Sequence, residues 1–271
     1  MLFNKFDSIQ DRILRFGSLP STNEYCKEKS IPHGAVVIAD SQSRGHGRMG
    51  RCFSSEAGGL YISFCYRLDG IMPDALLPVT GRCAVAVIRS LRKLCGIDAE
   101  IKWTNDIILR GKKICGILAE TVFSSDTKST PEKLIIGIGI NCNQNPHAFE
   151  GELKSIASSI FSEIGQTVDL EKLAVLLTEE IDKIFLSISS VPGMENQYTA
   201  EYRRYCLTIG KEIKILRPSL CSGEDPRIVF LHSPDIFPSA LAVDIDDNFG
   251  LIVKHGNGET EVLTYGEVSI R

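Results

Sequence analysis

Three arginines and three glycines share one short stretch of this sequence, SRGHGRMGR at residues 43–51. Gly45, Gly47 and Gly50 permit tight turns and let backbone amides approach an anion closely. Arg44, Arg48 and Arg51 add forked donors that match phosphate or carboxylate. Gln42 and Phe53 flank the stretch, an amide for a polar ligand group and a ring for stacking a base. A second grouping is KWTNDI at 102–107 with GKKICGILAE at 111–120. Lys102, Asn105 and Asp106 sit there beside Trp103 in an otherwise apolar run, and buried polar groups need partners. Lys113 follows a turn directly, and Gly116 lets a ligand lie against the strand. A third stretch, GIGIN at 137–141, alternates Gly137 and Gly139 with isoleucine and ends on Asn141, leaving one strand face bare. Each stretch alone also reads without a ligand: a solvated basic loop, a strand with a polar outer face, a strand packed on a helix.

The elements that must position these residues can be read from pattern. A strand is expected at RILRF before Gly17, and Ser21, Thr22 or Asn23 could cap a helix running to Lys29. The run at 35–39 is β-branched and reads as a buried strand feeding the arginine loop. LYISFCYRL is the next strand, and apolar residues recur at helical spacing from Pro78 to Leu94, with Gly96 as terminator. AEIKWTNDIIL, the turn Arg110-Gly111-Lys112 and KICGILAETVF read as a hairpin, followed by LIIGIGINCN as a further buried strand. Residues 170–188 read as one amphipathic helix, and 194–205 as a helical connection. Beyond about residue 205 short alternating strands with Asp-Asp and Gly-Asn-Gly turns suggest a small antiparallel barrel. The expected division is 1–204 and 205–271.

Composition bounds the function. The chain has 271 residues, 43% hydrophobic and 24% charged, which is enough to bury a core without staples. Its net charge of −4 argues against a general nucleic-acid binder. Nine cysteines, an odd number with no CxxC pair, read as reduced core residues rather than a zinc site. The first residues, MLFNKFDSIQDRILRFG, lack a secretory pattern, and no apolar run reaches the roughly 20 residues that span a bilayer. A cytoplasmic protein without membrane association is expected.

In order, STN at 21–23, GHGRMGR at 45–51, KWTND with GKKICGILAE, and GIGIN resemble the biotin–protein ligases, whose pattern is STN, GRGRxGR, KWPNDI, KxxGIL and GxGINxN. GEVS at 266–269 resembles the GE(I/V)S pattern of that family's C-terminal domain. The resemblance covers nearly the whole chain from residue 16. It implies an α+β fold with a mixed central sheet flanked by helices, like class II aminoacyl-tRNA synthetases, and a small SH3-like β-barrel. The departures are His46 and Met49 at frequently basic positions, Thr104 in place of proline, and Phe53 where tryptophan is common. Only 20 residues precede Ser21, so a member without the winged-helix DNA-binding domain, and without DNA as a partner, is expected.

The resemblance also implies roles. Biotin would be activated by ATP with Mg²⁺ to biotinyl-AMP and passed to a lysine of a biotin carboxyl carrier protein or domain. Lys113, Arg48 and Asp106 would serve the chemistry, Asp106 also as a candidate metal ligand. Ser21, Thr22, Asn23, Gln42, Gly45, His46, Lys113, Gly116 and Gly139 would bind biotin. Arg48, Arg51, Phe53, Lys102, Asn105 and Asn141 would hold ATP or the adenylate. A lipoate–protein ligase and a non-catalytic biotin-binding module are the alternatives, and a long sheet edge leaves room for a homodimer.

Overall fold

The computed structural model describes residues 8–124, 130–149, 151, 153–190, 195–217, 221 and 226–270. Seven strands form its main sheet: β1 (Ile13–Phe16), β2 (Ala35–Ala39), β3 (Leu60–Arg67), β4 (Glu100–Lys102), β5 (Asp106–Leu109), β6 (Lys112–Phe123) and β7 (Pro131–Ile140). Their order is β1-β2-β3-β7-β6-β5-β4; β1 and β2 pair in parallel and the other neighbours antiparallel. All of β2 is buried because both sheet faces are covered, which explains a continuous apolar run in place of alternation. Val36 and Ile38 join the core shared with helices α2 (Val79–Cys95) and α5 (Leu170–Ser190), while Ala35 and Val37 pack with Cys26 of α1 (Thr22–Lys27). The α1 face is therefore distinct from the α2–α5 face, and the site lies on the former.

Local signals explain most boundaries. Ser21 Oγ accepts the amide of Glu24 and caps α1, the kind of bond worth about 1 kcal/mol. Gly96 ends α2 in the left-handed conformation (φ 67°). The run 99–109 departs from expectation: it is not one strand, because Trp103, Thr104 and Asn105 turn the chain and β4 pairs with β5. Trp103 is buried and donates Nε1–H to the carbonyl of Phe249 at 2.8 Å, and Asn105 Nδ2 donates to the carbonyl of Ile117 at 2.8 Å. These two anchors hold a polar turn where a strand would leave the groups unpaired. Helices α3 (Leu153–Ile156), α4 (Ile160–Ile164) and α6 (Glu195–Tyr205) complete this part.

The C-terminal strands β8 (Glu212–Leu216), β9 (Ser239–Ile245), β10 (Leu251–His255), β11 (Thr260–Leu263) and β12 (Glu267–Ile270) form an antiparallel sheet ordered β11-β10-β9-β8-β12. The expected barrel is thus not closed: among the described residues β11 and β12 occupy opposite edges. The turn through Gly266 carries the chain past β11 to the far side of β8, and α7 (Pro226–His232) lies in the connection between β8 and β9. The apolar core continues from the main sheet into this one through Trp103, Tyr202 and Phe249, the last two rings edge-on at 5.1 Å. The nine cysteines are unpaired and seven are buried. Among the described residues no helix is long and apolar enough to cross a membrane.

One packing detail carries a pH prediction. His33 Nδ1 accepts the backbone N–H of Arg67 at 2.9 Å, and its ring lies edge-on to Phe185 at 5.4 Å. Burial lowers its pKa below the ordinary 6.5, with Arg67 and Arg12 also lowering it and Asp69 and Asp182 opposing. Below pH 6.5 the unfolded chain binds a proton that the folded chain resists, so stability falls as pH falls through that window. Urea midpoints at pH 7 and pH 5.5 should therefore differ less in His33→Gln than in the wild type. Equal pH sensitivity in both proteins would show that His33 does not contribute.

Candidate active site

The α1 face of the sheet has a floor without side chains. Along β7, Leu134, Ile136, Ile138 and Ile140 point to the α2–α5 core, so Gly137 and Gly139 necessarily face the other way. Gly139 pairs with Gly116 of β6 and Tyr61 of β3, and Gly137 pairs with Leu118 and Ser63. This floor is covered by neighbouring side chains. A Cβ on Gly137 would stand 2.1 Å from Asn23 Oδ1, and one on Gly139 would stand 2.6 Å from the Phe53 ring. The glycines accommodate an asparagine and a phenyl ring as well as leaving a channel.

A β-bulge aims Lys113 into this cleft. Gly116 and Leu118 line the cleft while Cys115 and Ile117 join the core, so simple alternation would place Ile114 outward and Lys113 inward. The register with β5 shifts between Ile107 and Ile108, which pair with Cys115 and Lys113. Ile114 is the extra residue, its side chain joins the core, and Lys113 is turned to the side of Gly116. Lys113 Nζ then lies 2.6 Å from Asp106 Oδ1 and 5.9 Å from the centre of the Phe53 ring.

The arginine loop folds back on itself and forms one wall. Gln42 N–H bonds the carbonyl of Ser55 at 3.1 Å, Phe53 N–H that of Gly45 at 2.8 Å, and Gly47 N–H that of Arg51 at 2.7 Å. Gly45 is buried under this arm, where a Cβ would stand 2.5 Å from Ser55 Oγ, so it shapes the loop without lining the cleft. Arg48 donates to Thr104 Oγ1, to Asn105 Oδ1 at 3.3 Å and to the carbonyl of Gly266 at 3.1 Å. Burial pulls the Arg48 guanidinium below its ordinary pKa, with nearby Asp106 opposing. Arg51 pairs with the carboxylate of Glu267, at the start of β12. The C-terminal sheet thereby reaches the cleft rim, while Arg44 is exposed and stands outside the cleft.

At the α1 end a chain of hydrogen bonds is preset. Thr22 N–H and Oγ1 both donate to Gln42 Oε1, at 2.8 and 3.1 Å, and Gln42 Nε2 donates to Ser55 Oγ at 2.9 Å. Ser63 Oγ bonds Thr22 Oγ1 at 2.7 Å and Asn23 Oδ1 at 2.6 Å, and Asn23 Nδ2 donates to Glu120 Oε2 at 2.8 Å. His46 Nε2 faces Glu24 at 3.6 Å and Glu120 at 3.8 Å. By spacing, Glu24, His46 and Glu120 are the one three-residue group among the described residues able to hold a metal. The Lys27 ammonium already sits between the two carboxylates, 2.5 Å from Glu24 and 3.0 Å from Glu120.

Two clefts meet at Lys113. Ser21, Thr22, Asn23, Gln42, His46, Arg48, Arg51, Phe53, Asn105, Asp106, Lys113, Gly116 and Gly139 line the first. The second adjoins it and is lined by Lys102, Asn141 and the apolar side chains of Ile108, Phe149, Leu153, Ile156 and Ile270; Phe53, Asp106, Lys113 and Glu267 border both. Asn141 is 4% exposed and donates to the carbonyl of Ser158, while its Oδ1 is buried with no hydrogen-bond partner among the described residues. Of the residues expected to serve the chemistry or to bind biotin, ATP or the adenylate, all but Gly45 line one of the two clefts; Arg44 and Gly50 of the arginine loop also lie outside both. Sequence reading missed Ser63, Ser55, Glu120 and Glu267. Ser63 is detectable as the one serine inside an apolar strand; the others carry no local signal.

Comparison with known proteins agrees with this geometry. Residues 16–141 match the model of the biotin/lipoate A/B protein ligase family. The chain is 40% identical over 156 residues to the bifunctional ligase/repressor BirA of Bacillus subtilis, a stretch that covers 56% of this chain and 46% of that one. It is 28% identical over 239 residues to the biotin–[acetyl-CoA-carboxylase] ligase of Mycobacterium tuberculosis, covering 87% and 78%. The chain thus spans about half the length of the Bacillus subtilis relative and of the similar BirA of Bacillus spizizenii. The solved biotin protein ligase of Aquifex aeolicus, in complex with biotin and ATP, superposes with a TM-score of 0.74 at 24% identity over 96% of this chain and 98% of that one. Its motifs, sheet order and loop thus lie in or around a region, residues 16–141, that is similar to the biotin/lipoate A/B protein ligase family.

Proposed function

We propose that this chain is a biotin–protein ligase, which forms biotinyl-AMP from biotin and ATP and transfers the biotinyl group to a lysine of a carrier domain. The observation that carries this reading is the meeting of two clefts at Lys113. One is lined by preset amides and hydroxyls suited to a ureido group, the other by an apolar wall with Lys102 and Asn141, suited to a nucleotide. An acid in the first and a nucleotide in the second would be joined at the ammonium.

In the first step a biotin carboxylate oxygen attacks the α-phosphorus, the bond from that phosphorus to the bridging oxygen breaks, and pyrophosphate leaves. Lys113, with Arg48 and Arg51 at the rim, neutralises charge on the carboxylate and the phosphates; positioning does most of the work. Magnesium takes hard oxygen donors and retains waters and substrate phosphates, so the single carboxylate of Asp106 suits it. When bound it would supply charge neutralisation on the triphosphate. In the second step a neutral lysine amine attacks the acyl carbon, AMP leaves, and the nitrogen gives up its proton; Asp106 orients the amine. We take residues 1–204 as the part that does this chemistry, 205–271 as a second unit, and the cytoplasm as the site of action.

The test is incubation with ATP, magnesium, biotin and a purified biotin carboxyl carrier domain, read by intact mass. A gain of one biotinyl group is expected. A gain with lipoate in place of biotin would make the protein a lipoate ligase, and no gain with biotin binding retained would make it a binding module. Arg48→Gly should loosen the rim and release biotinyl-AMP, labelling bystander lysines about 10-fold or more above wild type. Strict acceptor choice in that variant would contradict the retaining role of Arg48.

A further inference from the structure

We propose that Thr104 is a positioning residue for Arg48: its hydroxyl tethers the arginine loop across the cleft and so retains the acyl-adenylate. The inference rests on the functional reading above, and on contacts that are independent of it. Arg48 leaves the loop and reaches the turn between β4 and β5, where Thr104 Oγ1 and Asn105 Oδ1 accept from the same Nη1. The Asn105 amide is braced from the other side by the carbonyl of Ile117, and the Thr104 carbonyl accepts Tyr202 Oη–H at 3.0 Å. The turn that presents the hydroxyl is therefore pinned at two points, and Tyr202 itself is fully buried. A hydroxyl held this way accepts a charged hydrogen bond with little loss of side-chain freedom.

Position 104 holds proline in the pattern this sequence resembles, and proline has no hydroxyl. The tether is thus a property of this chain. It offsets the frequently basic positions that carry His46 and Met49 here, because it fixes one of the remaining loop arginines from below. A third acceptor, the Gly266 carbonyl, engages the other Nη of Arg48, so the guanidinium is held from both sides of the cleft mouth.

The test uses the full chain and three forms of it: wild type, Thr104→Val and Thr104→Ser. Valine keeps the shape and removes the acceptor; serine keeps the acceptor. Preformed biotinyl-AMP complexes are diluted and chased with excess unlabelled biotin, and free adenylate is followed by mass spectrometry. Thr104→Val should release the adenylate about 10-fold faster, and Thr104→Ser should match wild type. Hydrogen exchange of the amides at 45–52, measured without substrate, should rise in the valine variant and not in the serine variant. Wild-type release and wild-type exchange in Thr104→Val would overturn the tether. A serine variant as leaky as the valine one would do the same, since only a steric role would then remain. If the wild type forms no adenylate, the functional reading fails, and the exchange measurement still decides whether Thr104 holds the loop.

Discussion

Lys113→Gln should lower biotin-dependent ATP–pyrophosphate exchange by about 10³-fold, the scale seen when one charge-stabilising donor is removed from a reacting centre. The reason is the position of the ammonium, 2.6 Å from Asp106 Oδ1 and bordering both clefts. Glutamine keeps a hydrogen-bonding group, one bond shorter than lysine, but not the charge. It also leaves Asp106 without its counter-ion, adding a like charge beside the phosphates. Biotin affinity should fall far less, because the hydroxyl and amide network around Thr22 and Gln42 is untouched. Lys113→Arg restores charge without the compact geometry and should recover only part of the rate. Exchange within fivefold of wild type in the glutamine variant would remove Lys113 from the chemistry. A matching loss of biotin affinity would instead make it a binding residue.

That prediction depends on a feature no spacing rule reveals. Lys113 and Gly116 are three residues apart, and on a regular strand they would point to opposite faces. The bulge at Ile114 puts them together, and a bulge leaves no reliable trace in a run such as KKICGIL, where isoleucine and cysteine suit either orientation. Motif resemblance singles out both residues, and pattern gives no reason for their meeting. The turn at Trp103 was missed for a related reason: its polar residues fit the outer face of a strand until tertiary partners, Phe249 and Ile117, are known.

Strands and helices with a strong local signature were legible. The β-branched run of β2, the helical spacing of α2 ended at Gly96, and the long apolar stripe of α5 all formed where pattern placed them. The C-terminal strands were also recognised, but barrel closure was not decided by local pattern, since it depends on which edge β12 joins. The same limit applies to Glu267. It sits 216 residues from Arg51, and only the docking of the C-terminal sheet makes it part of the cleft rim.

Gly137→Ala is expected to weaken biotin binding about 10²-fold, as a displacement of about 1 Å in a positioned group can do, and to destabilise the fold by about 1–3 kcal/mol through overpacking. Its Cβ would stand 2.1 Å from Asn23 Oδ1 and 2.7 Å from Asn23 Cγ, so the asparagine must move. Moving it breaks the bonds to Ser63 and Glu120, and Ser63 is also the support of Thr22. The effect therefore passes from a backbone position to the ligand end of the cleft through one side chain. Calorimetry of biotin binding with thermal melts separates this account from a simple packing defect. In Asn23→Ala the space opens, so adding Gly137→Ala should cost little more, and the double variant should be far less than additive. Full additivity would mean that the glycine is required by the ligand itself rather than by Asn23.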